Sequence, residues 1–382
     1  MATKSSIGIV VSGGPAPGIN CVIASAAIEA NNRGYDVYGL RDGFKAISLG
    51  ERDCLIPLET SEVAPIYATG GSILGTSRFN PFSLPEHQSN FVDTLREKKI
   101  DKLVVIGGDG SAVLSYKLSQ LFPEFRIAHV PKTIDNDLVL PNHHPSFGFE
   151  TACYGGTTIL KSLAVDARTT KRWFLITTMG RRAGFLALGI GTAAAATLTV
   201  IPEEFAGSRL SAQYIANLVF ESMQKRAQLG KPFGIAVLAE GILDCIDPES
   251  SPILKECPRD EMGRLIYSEV ELGDILIPIL KQRCKEAGFQ LAITEKNIGY
   301  ELRCRDPISF DIEYTKFLGN GAARYLTEPH LGKENCVMVT KDYDKMSFKP
   351  LKELVGADGR IKSRTVDLNS DMYKVARSYM IR

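Results

Sequence analysis

The sequence is short of the features that mark whole classes of protein. None of its eight cysteines (Cys21, Cys54, Cys153, Cys245, Cys257, Cys284, Cys304 and Cys336) stands in a C-x-x-C pair, which excludes a zinc ribbon and predicts scattered, reduced thiols. Its five histidines include the pair His143 and His144, but with no cysteine or other histidine close by, the pair reads as a polar loop. Charge of neither sign is in excess. With 45 basic and 44 acidic residues, there is no broad field to attract nucleic acid or an anionic membrane, so any anion site must be built locally. No apolar run is long enough to span a membrane: the longest, Phe185 to Ile201, is interrupted by Gly189 and Gly191 and reads as a packed helix that includes Ala193 to Ala196. No internal period suggests a solenoid or propeller. The opening Met1 to Ser6 passes straight into Ile7 to Val11 without a secretory core, which predicts a cytoplasmic location.

What is present is a chain of 382 residues, 44% of them hydrophobic, able to bury large cores in two or three lobes. Short β-branched runs at Ile7–Val11, Leu103–Ile106, Phe174–Thr178 and Ile235–Leu238 each end in a glycine or polar loop and lead into a helix-like stretch. That alternation predicts an α/β fold of doubly wound sheets, in which ligands gather beyond the carboxyl ends of the strands. The polar tail from Phe348 onward is expected to cover the surface of one lobe.

The unusual residues fall at those strand ends. Ser12-Gly13-Gly14-Pro15-Ala16-Pro17-Gly18 separates a strand from a helix opening at Ile19. Glycines there let the backbone approach a phosphate, although by itself the run is equally a strand-to-helix turn, and it is neither a Walker loop nor G-x-G-x-x-G. Gly107-Gly108-Asp109-Gly110-Ser111 repeats the arrangement, with Asp109 suited to magnesium, directly or through water. Pro131-Lys132-Thr133-Ile134-Asp135-Asn136-Asp137 sets two carboxylates two residues apart, so that in an extended loop they share a side and divide general-base and positioning work. Lys171-Arg172 and Met179-Gly180-Arg181-Arg182 bracket a strand and supply guanidiniums for bidentate phosphate contacts. Ala239-Glu240-Gly241 and Gly299-Tyr300-Glu301-Leu302-Arg303 carry little weight alone.

Taken in order, SGGPAPGIN, LGTSRF, GGDGS, PKTIDND, MGRRAG, AEG and GYELR resemble the phosphofructokinase A family from Gly13 through Arg303, most closely its pyrophosphate-dependent and related long branches. The resemblance implies two Rossmann-like lobes with largely parallel sheets, residues 1–150 plus 305–382 for the phosphoryl donor and 151–304 for the sugar phosphate, with catalysis in the cleft. It implies that Gly14, Arg78, Phe79, Gly108, Asp109, Gly110 and Ser111 bind the donor, with Asp109 serving Mg²⁺. Asp135 becomes the base toward the sugar 1-hydroxyl, and Thr133, Asp137 and Lys132 flank the transferring group. Thr133, Asp135, Arg172, Met179, Gly180, Arg181, Glu240, Tyr300 and Arg303 become the fructose 6-phosphate site. Arg172 matches an arginine that crosses into a neighbouring subunit, which implies a homodimer or homotetramer.

The donor is read from two residues that disagree. In the family, Gly is usual at the position of Gly110 in ATP users, where a side chain would crowd the nucleotide, whereas Lys at the position of Lys132 is usual in pyrophosphate users. The open space is taken as the more decisive, so ATP is expected and pyrophosphate is the alternative. Ala24 and Ile28 stand where effector-binding arginines would be expected, and Thr294, with Lys296 nearby, where a second subunit-crossing arginine would be. A seven-carbon sugar phosphate stays open as the acceptor. A regulatory paralogue without chemistry would have no physical need of Asp109, Asp135 and Asp137 together, and a GGDG lipid or NAD kinase would not explain Thr133 to Asp137 beside Met179 to Arg181.

Overall fold

The computed structural model describes residues 5–51, 53–258, 270–288 and 291–382, so Met1 to Lys4 of the opening segment lie outside the described residues. In chain order the elements that position the loops are β1 (Ser6–Val11), α1 (Ile19–Asn32), β2 (Asp36–Leu40), β3 (Leu55–Pro57), β4 (Ile100–Gly107), α2 (Asp109–Leu121), β5 (Arg126–Pro131), α3 (Phe149–Thr170), β6 (Arg172–Thr178) and α4 (Phe185–Ala193). There follow β7 (Leu198–Val200), α5 (Ala212–Gln228), β8 (Gly234–Ala239), α6 (Leu272–Glu286), β9 (Ala292–Ile298), α7 (Ser309–Thr327), β10 (Cys336–Asp342), β11 (Lys345–Pro350) and α8 (Asp371–Ser378). The fold is α/β with mostly parallel sheets, as the strand and loop alternation predicts. Among the described residues no helix is long and apolar enough to cross a membrane, and no disulfide joins the cysteines.

The chain divides into two compact units. The first comprises Met1–Ile134, Leu138–Ala152 and Glu301–Ser363. Its sheet has the order β11-β10-β5-β4-β1-β2-β3, parallel from β10 to β2 with an antiparallel strand at each edge. From β1 the chain moves outward to β2, and from β4 it moves the other way to β5. The β1/β4 junction is therefore the switch point at which doubly wound sheets bind ligands. Parallel strands covered on both faces read as continuous apolar runs, and every residue of β1 is buried. Ile9, Val11, Val104 and Ile106 pack in one core with Ile19 and Val22 of α1 and Leu318 of α7, each side chain contributing about 1.5–3 kcal/mol on burial.

The second unit comprises Asp135–Asp137, Cys153–Tyr300 and Arg364–Arg382. Its sheet runs β7-β8-β6-β9, all parallel, over a core that includes Trp173, Leu175, Leu238 and Ile215.

Two expectations differ from what is observed. The segment from 305 to the end is expected with the first lobe, but Arg364–Arg382 belongs to the second unit. The reason is polar: the Ile381 N–H donates to Thr197 O at 2.9 Å, and Arg382 pairs with Glu204. The run Ala193–Ala196 is not helical throughout. Ala195 takes a left-handed φ of 53°, the Ala195 N–H reaches Thr192 O at 3.1 Å and the Ala196 N–H reaches Gly191 O at 2.8 Å. This is a Schellman closure of α4, built on alanine where glycine is usual, so the composition carries no stop signal.

Candidate active site

Strand register brings three motifs of the first unit to one level. Val11 of β1 pairs with Ile106 of β4, and Gly107 pairs with Pro131 of β5. The chain therefore emerges from neighbouring strands as Ser12, Gly108 and Lys132. The Lys132 N–H continues the ladder to Gly107 O at 2.9 Å. Its side chain is only 4% exposed, and its ammonium donates to the carbonyl of Gly14. A Cβ built on Gly13 would lie 3.5 Å from Lys132 Nζ and 3.9 Å from Ser111 Oγ.

Arg78 reaches the same loop because its own segment is laced to it. The Gly13 N–H donates to Ser77 O at 2.9 Å and the Thr76 hydroxyl donates to Gly13 O at 2.8 Å. A Cβ on Gly14 would meet Arg303 Cζ at 3.6 Å and an Arg78 Nη at 3.8 Å. Two guanidiniums and an ammonium thus converge on Gly13 and Gly14, with the N-termini of α1 and α2 at hand. Polyphosphate is the chemistry this suits, since charge-assisted hydrogen bonds to phosphate oxygens are the strong ones. Asp109 opens α2 with an exposed side chain. Magnesium takes oxygen ligands and keeps waters, so one exposed carboxylate beside the glycine-loop amides fits it. Phe79 is half-buried, its ring 5.0 Å from that of His87, and around a Cβ on Gly110 there is nothing within 4 Å.

Sequence reasoning missed what supports this loop from beneath. His129 of β5 is fully buried, with Nε2 3.0 Å from Gly107 O and Nδ1 3.3 Å from Ser115 Oγ. Only a protonated Nε2 can bond a carbonyl, which fixes the tautomer. Burial above all, with Lys132 nearby adding to it against the Gly107 bond, pushes its pKa down to about 3. The signal was a lone histidine in the apolar run Ile127-Ala128-His129-Val130.

In the second unit the strand ends again align, Thr178 of β6 pairing with both Ala239 of β8 and Ile298 of β9. Met179, Glu240 and Gly299 therefore leave the sheet side by side. Glu240 Oε1 accepts from the Gly180 N–H at 3.2 Å and the Arg181 N–H at 2.8 Å, and the Met179 N–H donates to Ile298 O at 3.1 Å. The glycine of one weaker motif is a steric necessity, since a Cβ on Gly241 would lie 2.2 Å from the backbone oxygen of Arg181; one on Gly299 would lie 2.4 Å from Met179 Cγ and would need that side chain to move. Arg181 Nε in turn lies 3.6 Å from Asp135 Oδ2, with the carboxylate 13% exposed and the guanidinium 49% exposed.

Of the residues expected at the sugar phosphate, Asp135, Met179, Gly180, Arg181 and Glu240 are joined by these contacts in the second unit, where Asp137 and the exposed Tyr300 also lie. Arg303 instead lies over Gly14 in the first unit, beside Arg78. Thr133 is in the first unit too, its carbonyl accepting from Ser146 Oγ at 2.8 Å. Arg172 begins β6 and bonds Thr170 Oγ1 at 2.8 Å. The six residue steps of strand from Arg172 to Thr178 put it roughly 20 Å from the loop of its own chain. The cluster of three acidic groups found among the described residues, Glu271, Asp274 and Glu295, does not include Asp109.

A family model described as phosphofructokinase matches residues 6–326. The pyrophosphate–fructose 6-phosphate 1-phosphotransferase of Thermotoga maritima is 42% identical over 386 residues, spanning 98% of this chain and 90% of its own. That of Naegleria fowleri is 40% identical over 390 residues, 99% of this chain and 88% of its own. The ATP-dependent 6-phosphofructokinase of Lactobacillus acidophilus is 34% identical over 238 residues, 62% of this chain and 70% of its own. Among solved structures, the pyrophosphate-dependent phosphofructokinase of Nitrosospira multiformis superposes with a TM-score of 0.75 at 19% identity, covering 99% of this chain and 91% of that one. Pichia pastoris phosphofructokinase in the T-state gives 0.73 at 23% identity over 92% of this chain, which spans only 35% of that protein. At such identities these likenesses speak for the fold alone.

Proposed function

The chain belongs to the phosphofructokinase family, and on that premise we propose that it transfers a phosphoryl group from inorganic pyrophosphate to the 1-hydroxyl of fructose 6-phosphate, giving fructose 1,6-bisphosphate and orthophosphate. The observation that carries the donor is the extent of the match: the two pyrophosphate-dependent relatives match 98% and 99% of the chain at 42% and 40% identity, against 62% at 34% for the ATP-dependent one. The buried ammonium of Lys132 on the Gly14 carbonyl supports it. The expectation of ATP, which rested on Gly110, thus gives way to the alternative.

In this reading the amides and cations at Gly13, Gly14, Arg78 and Gly108 to Ser111 hold the donor, and Asp109 would hold magnesium, which when bound neutralises donor oxygens. Asp135 takes the proton as the sugar oxygen attacks the terminal phosphorus and the bridging P–O bond breaks, a general-base contribution of about 10²–10⁴-fold. Arg181, 3.6 Å away, orients that carboxylate, and Arg78 faces charge developing on the transferred group. Arg172, far from its own loop, serves a second copy of the chain in a homodimer or homotetramer. The space at Gly110 favours a second reading, in which ATP is the donor.

Initial rates with fructose 6-phosphate and Mg²⁺, comparing pyrophosphate with ATP at matched concentrations, test the proposal. Turnover with pyrophosphate and little with ATP is expected. A preference for ATP installs the second reading, and silence with both donors removes the activity altogether.

A further inference from the structure

The C-terminal strap beyond Ser363 lies outside residues 6–326, which the family model matches, yet it grips the segment that carries the proposed base. The Arg364 N–H donates to Asp137 O at 2.8 Å. The Arg364 side chain turns back on the preceding residue of that segment: Nε donates to Asn136 O at 2.8 Å and an Nη donates to Asn136 Oδ1. The guanidinium also covers the ring of Phe185, 5.2 Å from its centre. Asn136 is buried with a left-handed φ of 57°, a conformation that asparagine adopts more readily than most residues with a side chain. One residue, Arg364, therefore bonds both the main chain and the side chain of the neighbour of Asp135.

Two residues further on, the strap makes a second tether. The Val366 N–H donates to Glu203 Oε1 at 2.8 Å, and the same oxygen accepts from the Gly184 N–H at 2.9 Å. Gly184 ends the loop that carries Arg181, whose guanidinium faces Asp135 at 3.6 Å. The strap thus fastens both sides of the Asp135–Arg181 pair, Asn136 through Arg364 and Gly184 through Glu203. A planar fork bonding two oxygens of one residue is a task for arginine that lysine cannot reproduce, because an ammonium is a point donor.

We infer that Arg364 is a positioning residue for the reaction, holding Asn136 so that Asp135 keeps its place against Arg181 and the attacking hydroxyl. This rests on the proposed role of Asp135. The side-chain hydrogen bonds of Arg364 fall on Asn136, next to Asp135, so its effect on the base is indirect, and a misplacement of the base by about 1 Å costs on the order of 10²-fold.

The test compares Arg364→Met, Arg364→Lys and each in combination with Asp135→Asn, using whichever donor supports wild-type turnover. Arg364→Met should lower kcat by about 10- to 100-fold while KM for fructose 6-phosphate stays within about threefold, with Arg364→Lys in between. In the Asp135→Asn background the same change should cost less than about twofold, a readout that a merely structural role would not produce. Equal losses in both backgrounds, or loss through KM alone, would overturn the inference. Amide hydrogen exchange of the full-length wild type and Arg364→Met keeps the two proposals separable. If wild type turns over neither donor, the function falls; the inference then stands or falls on whether peptides spanning 134–138 lose protection in the variant, and unchanged exchange overturns it.

Discussion

Replacing Gly241 by alanine tests whether the Arg181 loop is placed by close backbone approach. An ideal Cβ at 241 would sit 2.2 Å from the Arg181 carbonyl oxygen and 3.2 Å from both Arg181 C and Arg182 Cα. These are backbone atoms, so the strain cannot be relieved by a rotamer change, and the loop must retreat by about 1 Å to reach ordinary contact. Arg181 has little freedom to do so. It already holds a left-handed φ of 50°, and its N–H and that of Gly180 are tied to Glu240 Oε1 at 2.8 and 3.2 Å. Overpacking of this kind costs about 1–3 kcal/mol, equivalent to roughly 5- to 150-fold in an equilibrium constant. Because Glu240 is adjacent to residue 241 and Arg181 faces Asp135, the loss should appear in kcat/KM for fructose 6-phosphate. The donor KM, which the proposal assigns to loops of the first unit, should change by less than about twofold. Steady-state rates with each substrate varied in turn, together with calorimetry, read this directly. A Gly241→Ala protein with wild-type sugar kinetics and unshifted Tm would refute the reasoning.

Other outcomes can be measured in the same assays. Asp135→Ser should lower kcat by about 10²–10⁴-fold with little change in sugar KM, and near-normal turnover would remove Asp135 as the base. Lys132→Met keeps the volume but deletes the charged hydrogen bond to Gly14 O. On the proposed donor role, a loss of about 1.5–3 kcal/mol should lower kcat/KM for pyrophosphate by roughly 10- to 150-fold, and an unchanged value would show that the ammonium does not serve the donor. For His129 the folded pKa is about 3 against an ordinary 6.5, so its contribution to stability is complete above pH 6.5. Below that the unfolded chain takes up a proton that the folded chain refuses, and stability falls by about 1.4 kcal/mol per pH unit toward pH 3. Chemical unfolding of wild type and His129→Gln between pH 4 and 7 should show a shallower slope in the variant; parallel slopes would mean that His129 titrates normally.

The strands were legible because parallel sheets buried on both faces leave unbroken apolar runs, and Ile7–Val11, Leu103–Ile106, Phe174–Thr178 and Ile235–Leu238 all fall within observed strands. The glycine loops were legible because each follows such a run directly. What the sequence hid is long-range and polar. Nothing local in Asp135-Asn136-Asp137 tells that it packs with residues beyond 363, because the bonds that bring it there come from Arg364, more than two hundred residues later. Arg303 sits in one motif with Tyr300, yet the two belong to different units, and four residues of sequence cannot reveal that. Ala195 stops a helix without glycine, so its stretch read as helix.

The two residues that divide the donor question act through different physics. Gly110 acts by volume: the absence of a side chain permits a nucleotide, but empty space by itself supplies no binding free energy. Lys132 acts by charge, and charge contributes directly. Pyrophosphate has no base or ribose to bury, so its whole affinity must come from contacts to phosphoryl oxygens, where charge-assisted hydrogen bonds are the strongest available. On the proposed assignment of this loop to the donor, a buried ammonium on Gly14 O, with Arg78 and Arg303 converging on the same glycine, would be worth more to pyrophosphate than to a nucleotide, which can draw on its base and sugar as well. A permissive feature constrains the donor less than a contributing one. On that ground the proposed donor is pyrophosphate, with more weight given to the cations at Gly14 than to the space at Gly110, and the rate comparison of the two donors decides between them.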